Sequence, residues 1–271
     1  MAKDIQLHIP SITNFDVKYY FSNEDHKHPE RVWPFHLHDR IELYILLEGD
    51  VSFLVESTLY KLTSGDAIIT KPNEMHNCIL NTNSVHKHLC FWFDASSDFI
   101  FGDFLSHEPG KNNLIVPDAQ SKERLLEIYK SLKVASDGDD RLEQFYLTLE
   151  MLRIFSRFLG TTSTHQPFPD ILKSILDDID GNFKTIRTLD YFKERYFVSS
   201  STLNRLFKEY LNTTPKMYLE SKRLAHSQIL LKSGKSVLAA CMESGFPDYS
   251  NYIRLFKRRF LITPKQYQEK K

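Results

Sequence analysis

The tetrapeptide Arg-Leu-Phe-Lys occurs twice in the last quarter of the chain, at 205–208 and again at 254–257. Around the first copy, Leu203, Leu206, Phe207 and Tyr210 fall at i, i+3, i+4 and i+7, the apolar stripe of an amphipathic helix. That spacing turns Ser201, Asn204, Arg205 and Lys208 to the opposite face. The second copy turns Tyr249, Ser250, Ile253, Arg254 and Lys257 outward in the same way. Guanidinium and ammonium groups in a row on one helix face offer charged donors to a polyanion. The wider charge pattern agrees. Lys and Arg balance Asp and Glu at 35 each over the whole chain, yet from Gly181 onward they stand at 18 against 7. An ordinary solvated basic face would have the same composition, so the charge alone leaves both readings open.

The elements that must position these faces are legible from an internal repeat. Shifted by 49 positions, the stretch "FVSSSTLNRLFKEYLNTTPKMY" from Phe197 matches "FPDYSNYIRLFKRRFLITPKQY" from Phe246 at 10 of 22 positions. A repeat of this size is one supersecondary unit used twice. In the first unit Thr188 is expected to cap a short helix through Arg195, and Ser199 to cap the helix that carries Arg205. In the second, Ser236 caps a helix from Val237 to Ser244, a Gly-Phe turn follows, and a helix runs from about Tyr249 to Phe260. Two short helices joined by a tight turn, the second polar on its outer face, describe a helix-turn-helix. Between the units Pro215 can open a helix to about Leu231, because its missing N–H costs nothing at the first helical position. A helix of that length is a rigid spacer for two units that read successive major-groove turns, about 34 Å apart.

These residues are similar to the DNA-binding region of AraC-type transcription regulators, over about 100 residues from Ile171 to the end. The resemblance rests on both helix-turn-helix units, the bridging helix and the closing Thr-Pro-Lys-x-Tyr. It implies base-edge contacts from Ser201, Asn204 and Arg205 in the first recognition helix and from Tyr249, Ser250, Ile253 and Arg254 in the second. The chemistry suits the roles: Arg pairs with guanine, Asn with adenine, and Ile rests on a thymine methyl. Lys208 and Lys257 are expected at phosphates, where they set register. The alternative is that the two arginines only pair with neighbouring carboxylates, and that Tyr249 only covers its helix end. Three positions depart from the family pattern. Asn212 and Leu261 stand where it has glycine after each recognition helix, so the second turn is expected to differ in shape, and Ser227 replaces a preferred Ala.

The front half has another character. Between Ile41 and Thr70, β-rich runs are broken by Gly49-Asp50 and Gly65-Asp66, the pattern of antiparallel hairpins in a small barrel. His36, His38, Glu42 and Gly49 match the first cupin motif, and Gly65, Pro72 and His76 match the second in part. In the cupin enzymes this resembles, three histidines and a glutamate at matching places hold a divalent metal. Here the same four residues, His36, His38, Glu42 and His76, are expected to line one cavity and to serve an organic effector, with a divalent metal or merely structural histidines as the alternatives. His86 and His88 alternate on a predicted strand and read as surface and core neighbours rather than ligands. From about Ser121 the period turns helical, and Leu142, Phe145, Tyr146, Leu149, Leu152, Ile154, Phe155 and Phe158 make a stretch apolar on more than one face, as a dimer seam or a doubly packed helix would be.

At 271 residues and 41% hydrophobic, the chain can fill two cores. The expected fold class is α+β in two domains: a cupin-like antiparallel β-barrel over 1–117 with a helical dimerisation segment over 118–160, a linker over 161–169, and an all-α double helix-turn-helix over 170–271. The N-terminus lacks a signal-peptide pattern, no apolar run suits a bilayer, and Cys78, Cys90 and Cys241 read as reduced, buried thiols of a cytoplasmic protein. The expected function is a DNA-binding transcription regulator, not an enzyme, controlled by a small effector such as a sugar or another metabolite. Its partners would be double-stranded DNA, a second copy of the chain and RNA polymerase, with no membrane and no obligatory cofactor. A metal-dependent cupin enzyme fused to a DNA-binding module is the alternative. Effector, operator, and activation against repression are not written in the sequence.

Overall fold

A computed structural model describes residues 5–8, 16–24, 35–82, 85–93, 98–160 and 168–269. The chain divides into two compact units, one within residues 1–166 and one over Pro167–Lys271, to which Phe35–Leu37 are also assigned. No helix among the described residues is long and apolar enough to cross a membrane.

The first unit holds two antiparallel sheets. The larger runs in the order β1 (Ile5–His8), β2 (Asp16–Glu24), β8 (His86–Phe93), β3 (Ile41–Glu48), β6 (Ala67–Thr70) and β9 (Leu114–Ile115). The smaller orders β5 (Thr58–Leu62), β4 (Val51–Val55) and β7 (His76–Leu80). The hairpin breaks fall at the expected Gly49 and Gly65. Strand alternation then sorts the side chains. Ile41, Leu43 and Ile45 of β3 and Leu89, Phe91 and Phe93 of β8 pack outward against Leu125, Ile128 and Leu132 of α2 (Ala119–Asp137) and Leu147, Met151 and Phe155 of α3 (Arg141–Phe158). Each such burial is worth about 1.5–3 kcal/mol before entropy is charged against it. The intervening residues, Tyr44 and Leu46 on β3 and Cys90 on β8, meet Phe53, Tyr60 and Cys78 in a second core between the sheets. A short helix, α1 (Asp98–Leu105), adds Phe101 and Phe104 to the outer core.

Asp118 and Asp140 cap α2 and α3 through side-chain bonds to the third residue of each helix. On α3 the stripe divides as the spacing requires: Leu152, Ile154 and Phe155 are buried, while Leu142, Tyr146 and Leu149 remain exposed. Of the expected linker 161–169, residues 161–167 lie outside the described residues. All three cysteines are free and buried.

The second unit is helical throughout: α4 (Asp170–Asn182), α5 (Asp190–Tyr196), α6 (Ser200–Leu211), α7 (Pro215–Lys232), α8 (Val237–Glu243), α9 (Tyr249–Phe260) and α10 (Pro264–Glu269). Ser199, Thr214, Ser236 and Asp248 each accept a bond from the backbone N–H three residues on, which starts α6, α7, α8 and α9. Leu203, Leu206 and Phe207 of α6 are buried, and Tyr252, Leu255 and Phe256 of α9 are their counterparts. α7, at 18 residues, is about 27 Å long.

Four expectations need correction. Thr188 does not cap the first short helix, which begins at Asp190 behind Leu189 with no side-chain cap bond. Leu261 does not reshape the second turn; it takes the same left-handed cap as Asn212, at φ 60 against φ 49, with the side chain 85% exposed. The aligned Phe197 and Phe246 are not equivalent. Phe197 is the left-handed residue of its turn and is exposed, whereas Phe246 is buried one place after Gly245, whose φ is 81. The second turn therefore carries one more residue between its left-handed position and its cap. Only glycine fits there, since a Cβ on Gly245 would lie 2.3 Å from the carbonyl oxygen of Lys184. Finally, His86 and His88 are both buried and stack at 4.5 Å, because residues two apart on a strand share a face.

Candidate functional site

Within the second unit, the buried apolar rows of α6 and α9 fix which side chains face solvent. Ser201, Asn204, Arg205 and Lys208 are all exposed on α6, and Tyr249, Ser250, Arg254 and Lys257 on α9. Ile253 is the exception, half-buried against the core of its own unit, so only part of its surface is available to a base. The exposed groups hold loose local bonds. Arg205 pairs with Glu209 at 3.0 Å, one turn on, and Arg254 donates to Oδ1 of Asn251 at 2.9 Å. Asn204 donates to the Ser200 carbonyl at 2.8 Å, and Lys208 to Oδ1 of Asn212 at 2.7 Å. An exposed i,i+4 ion pair is worth only about 0.3–0.5 kcal/mol. Arg205 can leave Glu209 for a guanine edge at little cost.

His36, His38, Glu42 and His76 do converge: one donor atom from each lies within 4.8 Å of the others. Glu42 is the second residue of β3 and His76 the first of β7, while His36 and His38 lie in the segment just before β3. Local bonds orient the rings. Nδ1–H of His38 donates to the Arg40 carbonyl at 2.9 Å, and Nδ1–H of His76 to the Glu74 carbonyl at 2.9 Å. Both Nε2 atoms therefore turn toward one carboxylate, His38 at 3.1 Å from Oε2 of Glu42 and His76 at 3.9 Å from Oε1. Trp92 donates its indole N–H to the same Oε2 at 2.6 Å. With Nδ1–H tied to a carbonyl, each of these two imidazoles presents Nε2, the atom it would offer to a cation, toward that carboxylate. The residue types fit a first-row divalent metal, and mutual spacings of this size are close to the about 4 Å between opposite ligands of one ion.

The base of the site is held by a buried carboxylate. Glu74 accepts from the backbone N–H of Lys71 at 2.8 Å and of Gly110 at 2.6 Å, and from Nδ2 of Asn113 at 2.9 Å. Burial pushes its pKa up, against the pull of those donors. Within the core between the sheets, several polar side chains bond to one another. Tyr44 bonds to Nε2 of His86 at 2.5 Å and stacks on His88 at 4.8 Å, and Cys78 lies 3.8 Å from the Tyr44 hydroxyl. Burial lifts the Cys78 thiol to about 12, which keeps it neutral. Trp92 is a site residue that sequence reasoning missed, and Tyr44, His86 and His88 form a buried polar group between the sheets that it missed as well. The period-2 alternation that carries Glu42 inward carries Tyr44 with it, and would have found them.

Comparisons with known proteins follow the same division. Residues 193–270 match the model of a helix-turn-helix domain, and residues 23–92 that of a cupin domain. The transcriptional activator RhaR of Mannheimia succiniciproducens is 21% identical over 262 residues, covering 93% of this chain and 95% of its own. RhaR of Escherichia coli O139:H28 is 21% identical over 254 residues, covering 89% of each. Among solved structures, ToxT from Vibrio cholerae O395 aligns over 94% of this chain and 97% of its own at 13% identity, with a TM-score of 0.38, a likeness too distant to bear on function. A cupin domain ahead of a helix-turn-helix domain, in a chain similar over most of its length to the RhaR activators, supports an AraC-type regulator with a cupin N-terminal domain.

Proposed function

We propose that the regulator reads two adjacent major-groove segments through α6 and α9 and answers to a small-molecule effector held between the sheets of its cupin domain. The single observation that carries the effector site is the convergence of His36, His38, Glu42 and His76 within 4.8 Å. Polar groups fixed in this way, two of them buried and two half-buried, favour a ligand with matching donors and acceptors, such as a sugar or another polar metabolite. The effector acts by binding one arrangement of the regulator better than another, since equal affinity would shift nothing. Dimerisation through the exposed Leu142, Tyr146 and Leu149 of α3, action in the cytoplasm and contact with RNA polymerase complete the reading. A thermal-shift screen of the full-length protein against small metabolites, repeated on the His38→Ala, Glu42→Ala double variant, tests it. A hit that stabilises both proteins equally contradicts the site.

One observation favours a second reading, that the quartet holds a divalent metal and the domain retains cupin chemistry. Both Nε2 atoms face the Glu42 carboxylate, as metal ligands would. When bound, the ion would supply a Lewis acid centre, with His36, His38, Glu42 and His76 as its protein ligands. Metal analysis of the purified protein separates the two readings.

A further inference from the structure

Arg223 is a buried cation that the account above leaves unused. On α7 and only 6% exposed, it donates Nε–H to the Phe183 carbonyl at 2.9 Å and a second N–H to the Ile186 carbonyl. Neither acceptor carries a charge, and among the described residues Arg223 forms no ion pair. Burial above all, and then the neighbouring Arg187 guanidinium, disfavours its charged form, with Glu220 offsetting a part. A buried charge opposed by a like charge is an arrangement that folding alone does not favour.

The guanidinium lines a cavity of about 290 Å³ between α7, the segment before α5, and the turn that leads into α9. Arg187 and Lys216 stand exposed at this cavity, and neither forms an ion pair among the described residues. Glu220 is the one carboxylate in the lining, against three cations. Asn251 supplies an amide, and Phe246 an apolar wall. Two uncompensated positive charges, and the Arg223 N–H groups not given to the two carbonyls, match a phosphoryl group, which carries about −1.5 to −2 at neutral pH and accepts charge-assisted N–H bonds.

We infer that this cavity is an anion site that takes a phosphoryl group, with Arg223 at its base and Arg187 and Lys216 at its rim. The group has two sources. It is either a backbone phosphate of a bound duplex or the phosphate of a small phosphorylated metabolite. The cavity is large enough for the second.

Thermal unfolding of the full-length protein in inorganic phosphate, against chloride at equal ionic strength, gives the first arm. Arg187→Ser with Lys216→Ser is the variant of choice, because neither side chain makes a bond that the fold depends on. Arg223 itself holds two backbone carbonyls, so its removal would confuse binding with folding. Phosphate is expected to raise the unfolding midpoint of the parent, and the double variant to lose about tenfold or more in apparent phosphate affinity. The second arm measures binding to duplexes that carry single methylphosphonate groups. A neutralised position that weakens the parent but not the double variant assigns the site to DNA; phosphate stabilisation without such a position assigns it to a free ligand. Phosphate that acts equally on parent and variant, or not at all, with no coupled position on the duplex, overturns the inference.

Discussion

Trp92 and Glu42 face each other across β8 and β3, and the indole N–H donates to Oε2 of the carboxylate at 2.6 Å. That bond fixes the plane of the carboxylate between the His38 and His76 rings, so the quartet is set by the sheet register as well as by its own four side chains. His38→Ala with Glu42→Ala should abolish effector-dependent transcription while leaving ligand-free DNA affinity within a factor of about three, well under the 1.4 kcal/mol of a tenfold change. Circular dichroism must show the double variant folded. A reporter that still responds to the effector would move signal entry elsewhere in the protein.

Backbone strain at two left-handed, exposed apolar residues gives a stability prediction. Phe197 at φ 52 and Leu261 at φ 60 carry side chains in a conformation that costs about 1–2 kcal/mol for an L-residue. Phe197→Gly and Leu261→Gly should each stabilise the protein by about 0.5–1 kcal/mol, the strain relieved less the entropy that glycine loses. Gly245→Ala should do the reverse and destabilise by about 2 kcal/mol or more, because its Cβ meets backbone at 2.3 Å. Urea unfolding of the three variants checks the signs. A neutral Gly245→Ala would mean that the segment around Lys184 yields easily.

Much of this architecture was legible in the sequence for physical reasons. The caps Ser199 and Ser236, Pro215 at the start of α7 and the apolar rows of α6 and α9 are local signals, set by hydrogen bonds and periods within a few residues. The cupin quartet was legible as a pattern of residue types. What escaped depends on three-dimensional neighbours. His86 and His88 enter the interior because β8 pairs with β3, and Gly245 is required by the approach of Lys184, 61 positions away. Phe197 and Phe246 misled, because identity in a repeat does not reveal an extra residue in one turn. The anion cavity escaped too, since Arg187, Lys216 and Asn251 come from three separate elements.

The exposed row on α3 predicts an oligomeric state. Leu142 is 78% exposed and Tyr146 56%, one turn apart, with Leu149 following on the same face. Full-length protein should be a dimer at micromolar concentration by light scattering, and Leu142→Asp with Tyr146→Asp should shift it to monomer. Parent protein that is monomeric with and without DNA would remove the dimer from the account.

His226 predicts a pH dependence. Burial first, and the Lys184 ammonium second, lower its pKa from 6.5, while the ring bonds to the Ser244 hydroxyl at 3.1 Å. The unfolded chain therefore takes up a proton at this site before the folded one does. Stability contributed here is intact above about pH 6.5 and declines as the pH falls through the lowered folded value. His226→Gln should flatten that decline in urea unfolding followed between pH 7.5 and 5. An unchanged slope would assign the acid sensitivity to other groups.

The central claim is that Arg205 and Arg254 read two different base positions from two successive turns of one duplex face. Binding-site selection with the full-length protein, the Arg205→Ala variant and the Arg254→Ala variant tests it most directly, under one fixed salt concentration. Each variant is predicted to lose preference at a single position, at a cost of about 1–3 kcal/mol, with the two positions about one helical turn apart. Lys208→Ala should weaken all sequences alike and reduce the salt dependence. If both arginine variants select the same sites as the parent, or lose preference at the same position, the two-helix reading of this regulator is wrong.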